Sequence, residues 1–458
     1  MALLIKNAHV YTPADAGIKD VLIVNDRVAA VEDNLTVTMP DLATLDAKGL
    51  ILTPGFIDQH IHVTGGGGEG GPKTRTPELV LSELIACGTT SVVGVSGTDG
   101  TSRSIPNLLA KIRALKAEGV SAWMYTSNYA YPPTTLTTCV RDDLFFVPEV
   151  VGVKIAMGDH RSSFPSEDEV LRLLTQIRVG AMVAGKLGVL HIHLGNIPGP
   201  FEIFGDIVKR GFPIRHIRPT HCARDKAVFE GAVKFAVAGG YMDVTTGGSC
   251  AFATPAHAAF EALKAGVPAD HLTMSSDGHG SVPRFNEKGE MVGLGVGGVA
   301  SNLRDFKRLI GELNVPMETA LALLTRNVAK ALELKGKGEV AAGSSADLCL
   351  FDENMNLRHV FALGQQMMRD GEIVVKATFE DSLRISSAQT PLRPRPGPGS
   401  VFAALQTSCA VRFCAERQLR TSGTRFAARH SPVGRRWTPC ESVGPTFFLP
   451  RLFPHAAY

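Results

Sequence analysis

Long apolar runs are missing from this chain: stretches such as "ILTPGFI" and "SVVGVSG" fall far short of the ~20 residues that a membrane-spanning helix needs. The opening "MALLIKNAHVYTP" lacks a basic leader and an extended apolar stretch, so no secretory signal is predicted. Paired cysteines are missing as well. Five of the eight cysteines (Cys87, Cys139, Cys222, Cys250 and Cys349) scatter through the first 381 residues with no Cys-x-x-Cys. That spacing excludes a disulfide scaffold and a thiolate zinc site, and predicts a reduced, cytoplasmic protein. A basic surplus is absent from the same region. The whole chain carries +3, and residues 382–458 hold eleven Arg, no Lys and only Glu416 and Glu441 as acids, which is +9; +3 less +9 leaves −6 for the rest. An acidic body argues against nucleic acid as a partner, and no membrane partner is predicted.

What is present is ordinary for a globular protein, with 44% hydrophobic and 20% charged residues among 458. Residues 1–51 alternate apolar and polar in short runs with Asn-Asp and Lys-Gly turns, which predicts a small β-module. From 52 to 332 short apolar strands ("SVVGV", "SAWMYT", "VVGVKIAM", "GVLHIHL", "IRPTH", "YMDVTTG", "LTMSSDG") alternate with amphipathic stretches such as "TPELVLSELIACG" and "SEDEVLRLLTQIRVGAMVAG". Seven or eight such units predict an α/β chain with a (β/α)8 TIM-like barrel. Residues 333–381 return to short strands and complete the first module, so that the barrel is inserted in a β-sandwich-like unit formed by both ends of the body. The Pro- and Arg-rich segment 382–458 predicts an unstructured tail.

Chemistry concentrates at the strand ends. In "TPGFIDQHIHVTGGGGEGGP", His60 and His62 are two apart, so period two puts both imidazoles, with Asp58, on one face of a strand that breaks into glycines. A lone His-x-His arises by chance on surface strands; this one ends the first barrel strand, where barrel enzymes build their sites. Later strand ends supply Lys154, His191 and His193, His221 and Asp277. Each has an ordinary alternative, a packed histidine or an Asp-Gly turn. Their coincidence on successive strands points to a metal centre. Lys154, within "VVGVKIAMGDH", is either an edge-strand lysine reaching solvent or an amine whose burial disfavours the ammonium.

"PGFIDQHIH", the strand-borne Lys154, "PTH" and "SSDG" resemble the amidohydrolase superfamily, and "GGGGEGGPKTRTPE", "TSVVGVSGTDG", "GVKIAMGDHRS" and "RPTHCAR" resemble the isoaspartyl dipeptidase family over residues 1 to about 380. The resemblance implies a hydrolase of β-linked aspartyl dipeptides with two zinc ions bridged by N6-carboxylated Lys154. His60 and His62 with Asp277 would hold the first zinc, and His193 and His221 the second. His193 is preferred to His191 because it precedes Leu-Gly. A metal-bridging hydroxide attacks the amide, with Asp277 as base and then acid. Glu69 would take the substrate ammonium, and Arg161 and Arg224 its carboxylates. Gly67, Thr98 and Ser281 would line the substrate, and Tyr129, with Tyr125 and Tyr131 as neighbours in "MYTSNYAYPP", would polarise the scissile carbonyl. A homo-oligomer, octameric in the family, is implied too.

Rival readings are a cyclic amidase of the dihydroorotase or hydantoinase kind, an N-acyl-D-amino-acid deacylase and a catalytically inactive scaffold. The first expects an arginine just after His-x-His, where this chain has Val63-Thr64-Gly65, and the second leaves Glu69 without a role. An inactive scaffold would have lost ligands that are all present here.

Overall fold

The computed structural model describes residues 2–286 and 291–380; the tail expected over 382–458 lies outside the described residues. The amino-terminal strands are β1 (Ala2–Tyr11), β2 (Asp15–Val24), β3 (Arg27–Glu32), β4 (Leu42–Asp46) and β5 (Ile51–Pro54). β1 is the organiser, pairing antiparallel with β2 and parallel with β4 and β5. Its alternation buries Ile5 and Val10 on one face against Val21, Ile23 and Leu52, the period-two pattern of a half-buried sheet.

Pro54 leads into the barrel. Its parallel strands run in chain order: β6 (Phe56–Ile61), β7 (Thr89–Gly94), β8 (Ser121–Thr126), β9 (Val150–Met157), β10 (Val189–Leu194), β11 (Ile217–Thr220), β12 (Met242–Thr245) and β13 (Leu272–Ser275). β6 to β11 form one sheet in that order and β12 pairs with β13. The seams are bridged by Cys222 N–H to Asp243 O at 3.1 Å, and by Asp277 N–H to His60 O at 3.0 Å and His62 N–H to Gly278 O at 2.9 Å. Every residue of β6, β7, β9 and β10 is buried, because helices cover the outside of a parallel sheet and side chains fill its interior.

The connecting helices are α1 (Leu81–Ile85), α2 (Ile105–Ala117), α3 (Val140–Phe146), α4 (Glu167–Val183), α5 (Pro200–Lys209), α6 (Lys226–Val237) and α7 (Pro255–Lys264). Sequence chemistry sets their starts: Ser104, Asp225 and Thr254 cap α2, α6 and α7, and Ser166 with Glu169 forms a capping box on α4. The amphipathic stretch 76–88 yields only the short α1, because Val80 is extended and Leu79 N–H is taken by Val63 O at 3.1 Å. A hairpin of β14 (Ser281–Phe285) and β15 (Met291–Val296) follows the barrel, then α8 (Ser301–Gly311), α9 (Met317–Ala322) and α10 (Arg326–Leu332).

The chain finally returns to the first sheet with β16 (Leu348–Phe351), β17 (Leu357–Ala362), β18 (Gln365–Arg369) and β19 (Glu372–Ile373). β16 pairs antiparallel with β5, Leu350 opposite Leu52. Both ends of the body thus share one nine-stranded sheet.

Candidate active site

A cavity of about 480 Å³ opens beside the carboxyl ends of the barrel strands. His62, Gly67, Glu69, Thr98, Tyr129, Arg161, His193, His221, Arg224, Asp277 and Ser281 all line it. His60 and Lys154 lie beneath, both fully buried. β9 is an interior strand, paired with β8 on one side and β10 on the other. An edge-strand lysine reaching solvent is therefore ruled out by the topology.

The donor groups crowd together. His62 Nε2 is 3.1 Å and His60 Nε2 3.4 Å from Asp277 Oδ1, and Lys154 Nζ is 3.0 Å from His60 Nε2. His60, His221 and Asp277 offer ligand atoms all within 4.8 Å of one another. His221 and Asp277 adopt left-handed backbone angles, φ 61° and 53°. That conformation is uncommon outside glycine and clusters at functional sites, here where the strands turn toward the cavity.

Burial governs the charge states. It pulls Lys154 down to about 7 and, together with the nearby Lys154, pulls His60 down to about 3. His193 and His221 are held well below the ordinary imidazole value, chiefly by desolvation. Burial opposes the charge on Asp277, but hydrogen bonds from His60 and His62 outweigh it and hold the carboxyl well below its usual range. Neutral imidazoles, an amine poised to lose its proton and an ionised carboxylate form a donor set suited to cations. Asp58 lies under the strand end, its Oδ1 accepting from the His60 and Ser276 amides at 3.2 Å.

The structure separates the paired alternatives that periodicity leaves open. His191 backs His60, with its Nε2 2.8 Å from His60 Nδ1, and stacks on Tyr125 at 4.5 Å between centroids. His193, one pleat nearer the strand end, faces the cavity. Its Nδ1 meets the Tyr129 hydroxyl at 2.7 Å and its Nε2 meets Asp159 Oδ2 at 3.0 Å. Tyr125 is fully buried on β8, and Tyr131 borders a separate surface hollow.

Glu69 Oε1 accepts from Arg161 Nη1 at 2.8 Å and from Ser281 Oγ at 2.5 Å, while its buried Oε2 has no partner. The glycines ahead of it are required. Gly65 and Gly67 have φ of 76° and 77°, and a Cβ on them would stand 2.3 Å from Thr76 O and 2.4 Å from Thr74 O.

Two residues escaped the sequence reading. Asp159 accepts from Arg161 Nε and Nη2 at 2.8 and 2.9 Å and from Arg224 Nη1 at 3.3 Å, as well as contacting His193. Its acid-x-Arg spacing to Arg161 was the available signal. Thr245, whose Oγ1 lies 2.7 Å from His221 Nδ1, had no local one.

A model of the amidohydrolase family matches residues 51–374. The β-aspartyl dipeptidase of Fervidobacterium islandicum AW-1, solved in complex with the β-Asp-Leu dipeptide, is 40% identical, covering 81% of this chain and 98% of that one, with a TM-score of 0.76. A dihydropyrimidinase from Brevibacillus agri NCHU1002 shares the fold at 18% identity, with a TM-score of 0.59 over 82% of this chain and 97% of that one. The dihydroorotase of Elusimicrobium minutum (strain Pei191) is 47% identical over 72 residues, 15% of this chain; the match spans 16% of that relative's length. The chain is thus an enzyme of the amidohydrolase family, standing within it among the β-aspartyl dipeptidases.

Proposed function

We propose that this enzyme hydrolyses the β-linked amide of isoaspartyl dipeptides at a centre holding two zinc ions bridged by carboxylated Lys154. The observation that carries the reading is the charge pattern of the cavity. Among the carboxylates that line it, Glu69 keeps a buried oxygen without a partner, and the guanidiniums of Arg161 and Arg224, both held by Asp159, line the same cavity. A β-aspartyl dipeptide presents the complement: one ammonium, the α-carboxylate of its aspartyl residue and the carboxylate of the leaving residue. The identity with an enzyme solved with β-Asp-Leu supports the same substrate class.

The residues fit the metals this reading requires. His221 keeps its buried Nε2 without a hydrogen-bond partner, and His62 turns its Nε2 to Asp277 Oδ1 at 3.1 Å. His60, His62 and Asp277 would hold one cation, His193 and His221 the other. The Lys154 amine, neutral once deprotonated, would add to CO2 with release of a proton, and the resulting carbamate anion would be a ligand for both. Such a pair supplies Lewis-acid polarisation of a carbonyl and a water acidic enough to attack near neutral pH.

The chain's own groups do the rest. Asp277 takes the proton lost by the attacking water and returns it to the leaving amine. Tyr129 remains protonated because burial pushes its phenol up, so once released from His193 it can donate to the scissile carbonyl oxygen. Asp159 and Thr245 orient the rings of His193 and His221. Gly67 and Thr98 shape the wall, and Ser281 steadies Glu69. The resemblance further implies a cytoplasmic homo-oligomer, octameric in the family, which light scattering would measure.

Purified protein should contain about two zinc per chain and cleave β-aspartyl-leucine faster than α-aspartyl-leucine or hydantoin. Equal rates on the two dipeptides would defeat the assignment. Preference for hydantoin would favour the cyclic amidase suggested by the short dihydroorotase match.

A further inference from the structure

Arg103 lies between β7 and α2, one residue ahead of the cap Ser104, and is 6% exposed. A guanidinium buried this deeply ordinarily sits against a carboxylate. Asp99, four residues earlier, pairs instead with Arg75 at 3.7 Å and with the Ser102 amide at 2.8 Å. Arg103 spends its terminal donors on backbone carbonyls, Nη1 on Thr64 O and Nη2 on Gly66 O at 3.1 Å and Thr76 O at 2.9 Å, while its buried Nε has no partner.

All three carbonyls belong to the loop that carries Glu69. That loop folds back on itself through Thr76 N–H to Gly66 O at 3.0 Å, Gly66 N–H to Thr76 Oγ1 at 2.7 Å and Gly68 N–H to Thr74 O at 3.3 Å. Its glycines leave the backbone many accessible conformations. An apolar side chain at 103 would strip a charged donor from three carbonyls at the loop's base. A planar fork with several N–H groups is also what three divergent acceptors require, which an ammonium on a flexible stem does not match.

On the reading above that Glu69 receives the substrate ammonium, we infer that Arg103 is a positioning residue for Glu69. It ties both legs of the glycine loop to the loop after β7, so that Glu69 is held in the cavity wall. It touches no reacting atom. Its effect on catalysis passes through the placement of one carboxylate.

The test is a double-mutant cycle with Arg103→Met and Glu69→Gln, measured on β-aspartyl-leucine. Arg103→Met should raise KM about tenfold or more in the wild-type background, and by no more than about twofold when Glu69→Gln is already present. N-succinyl-leucine, which lacks the ammonium, should show the same small change in both backgrounds. Zinc per chain should equal that of the wild type. Equal losses in both backgrounds, or a fall in zinc content, would overturn the inference and make Arg103 a general scaffold residue. Should Arg103→Met not accumulate as folded protein, Arg103→Lys, which keeps the charge and loses the fork, goes through the same cycle with the same criteria. A wild type unable to cleave β-aspartyl-leucine, or Glu69→Gln without effect, would remove the Glu69 reading itself. An active wild type with an additive cycle removes only the role of Arg103.

Discussion

Changing Asp159 to asparagine keeps the side-chain volume and deletes the charge on which Arg161, Arg224 and His193 converge. The carboxylate is 3% exposed, and four side-chain contacts of 2.8 to 3.3 Å reach it, besides the Arg161 amide at 2.9 Å. Removing one partner of a buried pair costs about 3–5 kcal/mol. Here Arg161 keeps Glu69 at 2.8 Å, and the Arg161 and Arg224 side chains are 12% and 20% exposed, so a loss of about 2–3 kcal/mol is expected. For a body of this size that lowers Tm by roughly 2.5–4 °C. With both guanidiniums released, KM for β-aspartyl-leucine should rise about tenfold to a hundredfold. The pH sign follows from the carboxyl. Burial opposes its charge, but hydrogen bonds from Arg161 and His193 outweigh it and hold Asp159 far below its ordinary value. A depressed folded pKa contributes stability that is complete above the unfolded value of about 3.9 and is lost as pH falls through the folded one. The gap in Tm between wild type and Asp159→Asn should therefore be flat from about pH 5 to 8 and close in more acid solution. Thermal unfolding followed by circular dichroism across that range, with steady-state kinetics at pH 7, gives the answer. A variant within about 1 °C of wild type and with unchanged KM would refute the idea that Asp159 aims the guanidiniums.

Lys154→Ala should lose bound zinc and activity together, and short carboxylic acids should restore part of both by standing in for the carbamate; an active variant without them would exclude the bridge. Thr245→Val, near in shape, breaks the 2.7 Å contact to His221 Nδ1 and should weaken one of the two zinc sites about 10- to 100-fold, read by competitive chelator titration, with equal affinities as the contrary result. Gly65→Ala places a methyl 2.3 Å from Thr76 O at φ 76° and should cost about 1–3 kcal/mol in denaturant unfolding or displace the loop and raise KM. Wild-type stability together with wild-type KM would show that the glycine is dispensable.

Much of the architecture could be read in one dimension because its causes are local. The strands over 121–126 and 150–157 fall where the β-branched and aromatic runs place them, and α2, α4 and α6 begin at their capping residues. α1 was overestimated, since the pull of Val63 O on the Leu79 amide is a contact between segments, which no periodicity reports. His-x-His, the glycine loop and Lys154 stood out through residue type and spacing; His62 and the glycine loop line one cavity, and His60 and Lys154 are buried beneath it. His191 and His193 share a strand face, so their separation into a backing residue and a cavity residue needed the third dimension.

Alternation, turn chemistry and strand-then-helix repetition were enough to predict the barrel and the module made from both ends of the body, because those signals act within a few residues. What lies between chain-distant groups was settled only by folding. The barrel made β9 an interior strand and so turned Lys154 into a buried amine. It also brought Asp159 against Arg224, 65 residues away, and Arg103 beneath a loop that begins 39 residues earlier at Thr64. Closing the strands into a ring converges their carboxyl ends on one point, so the neighbours that set each group's charge and aim come from other strands.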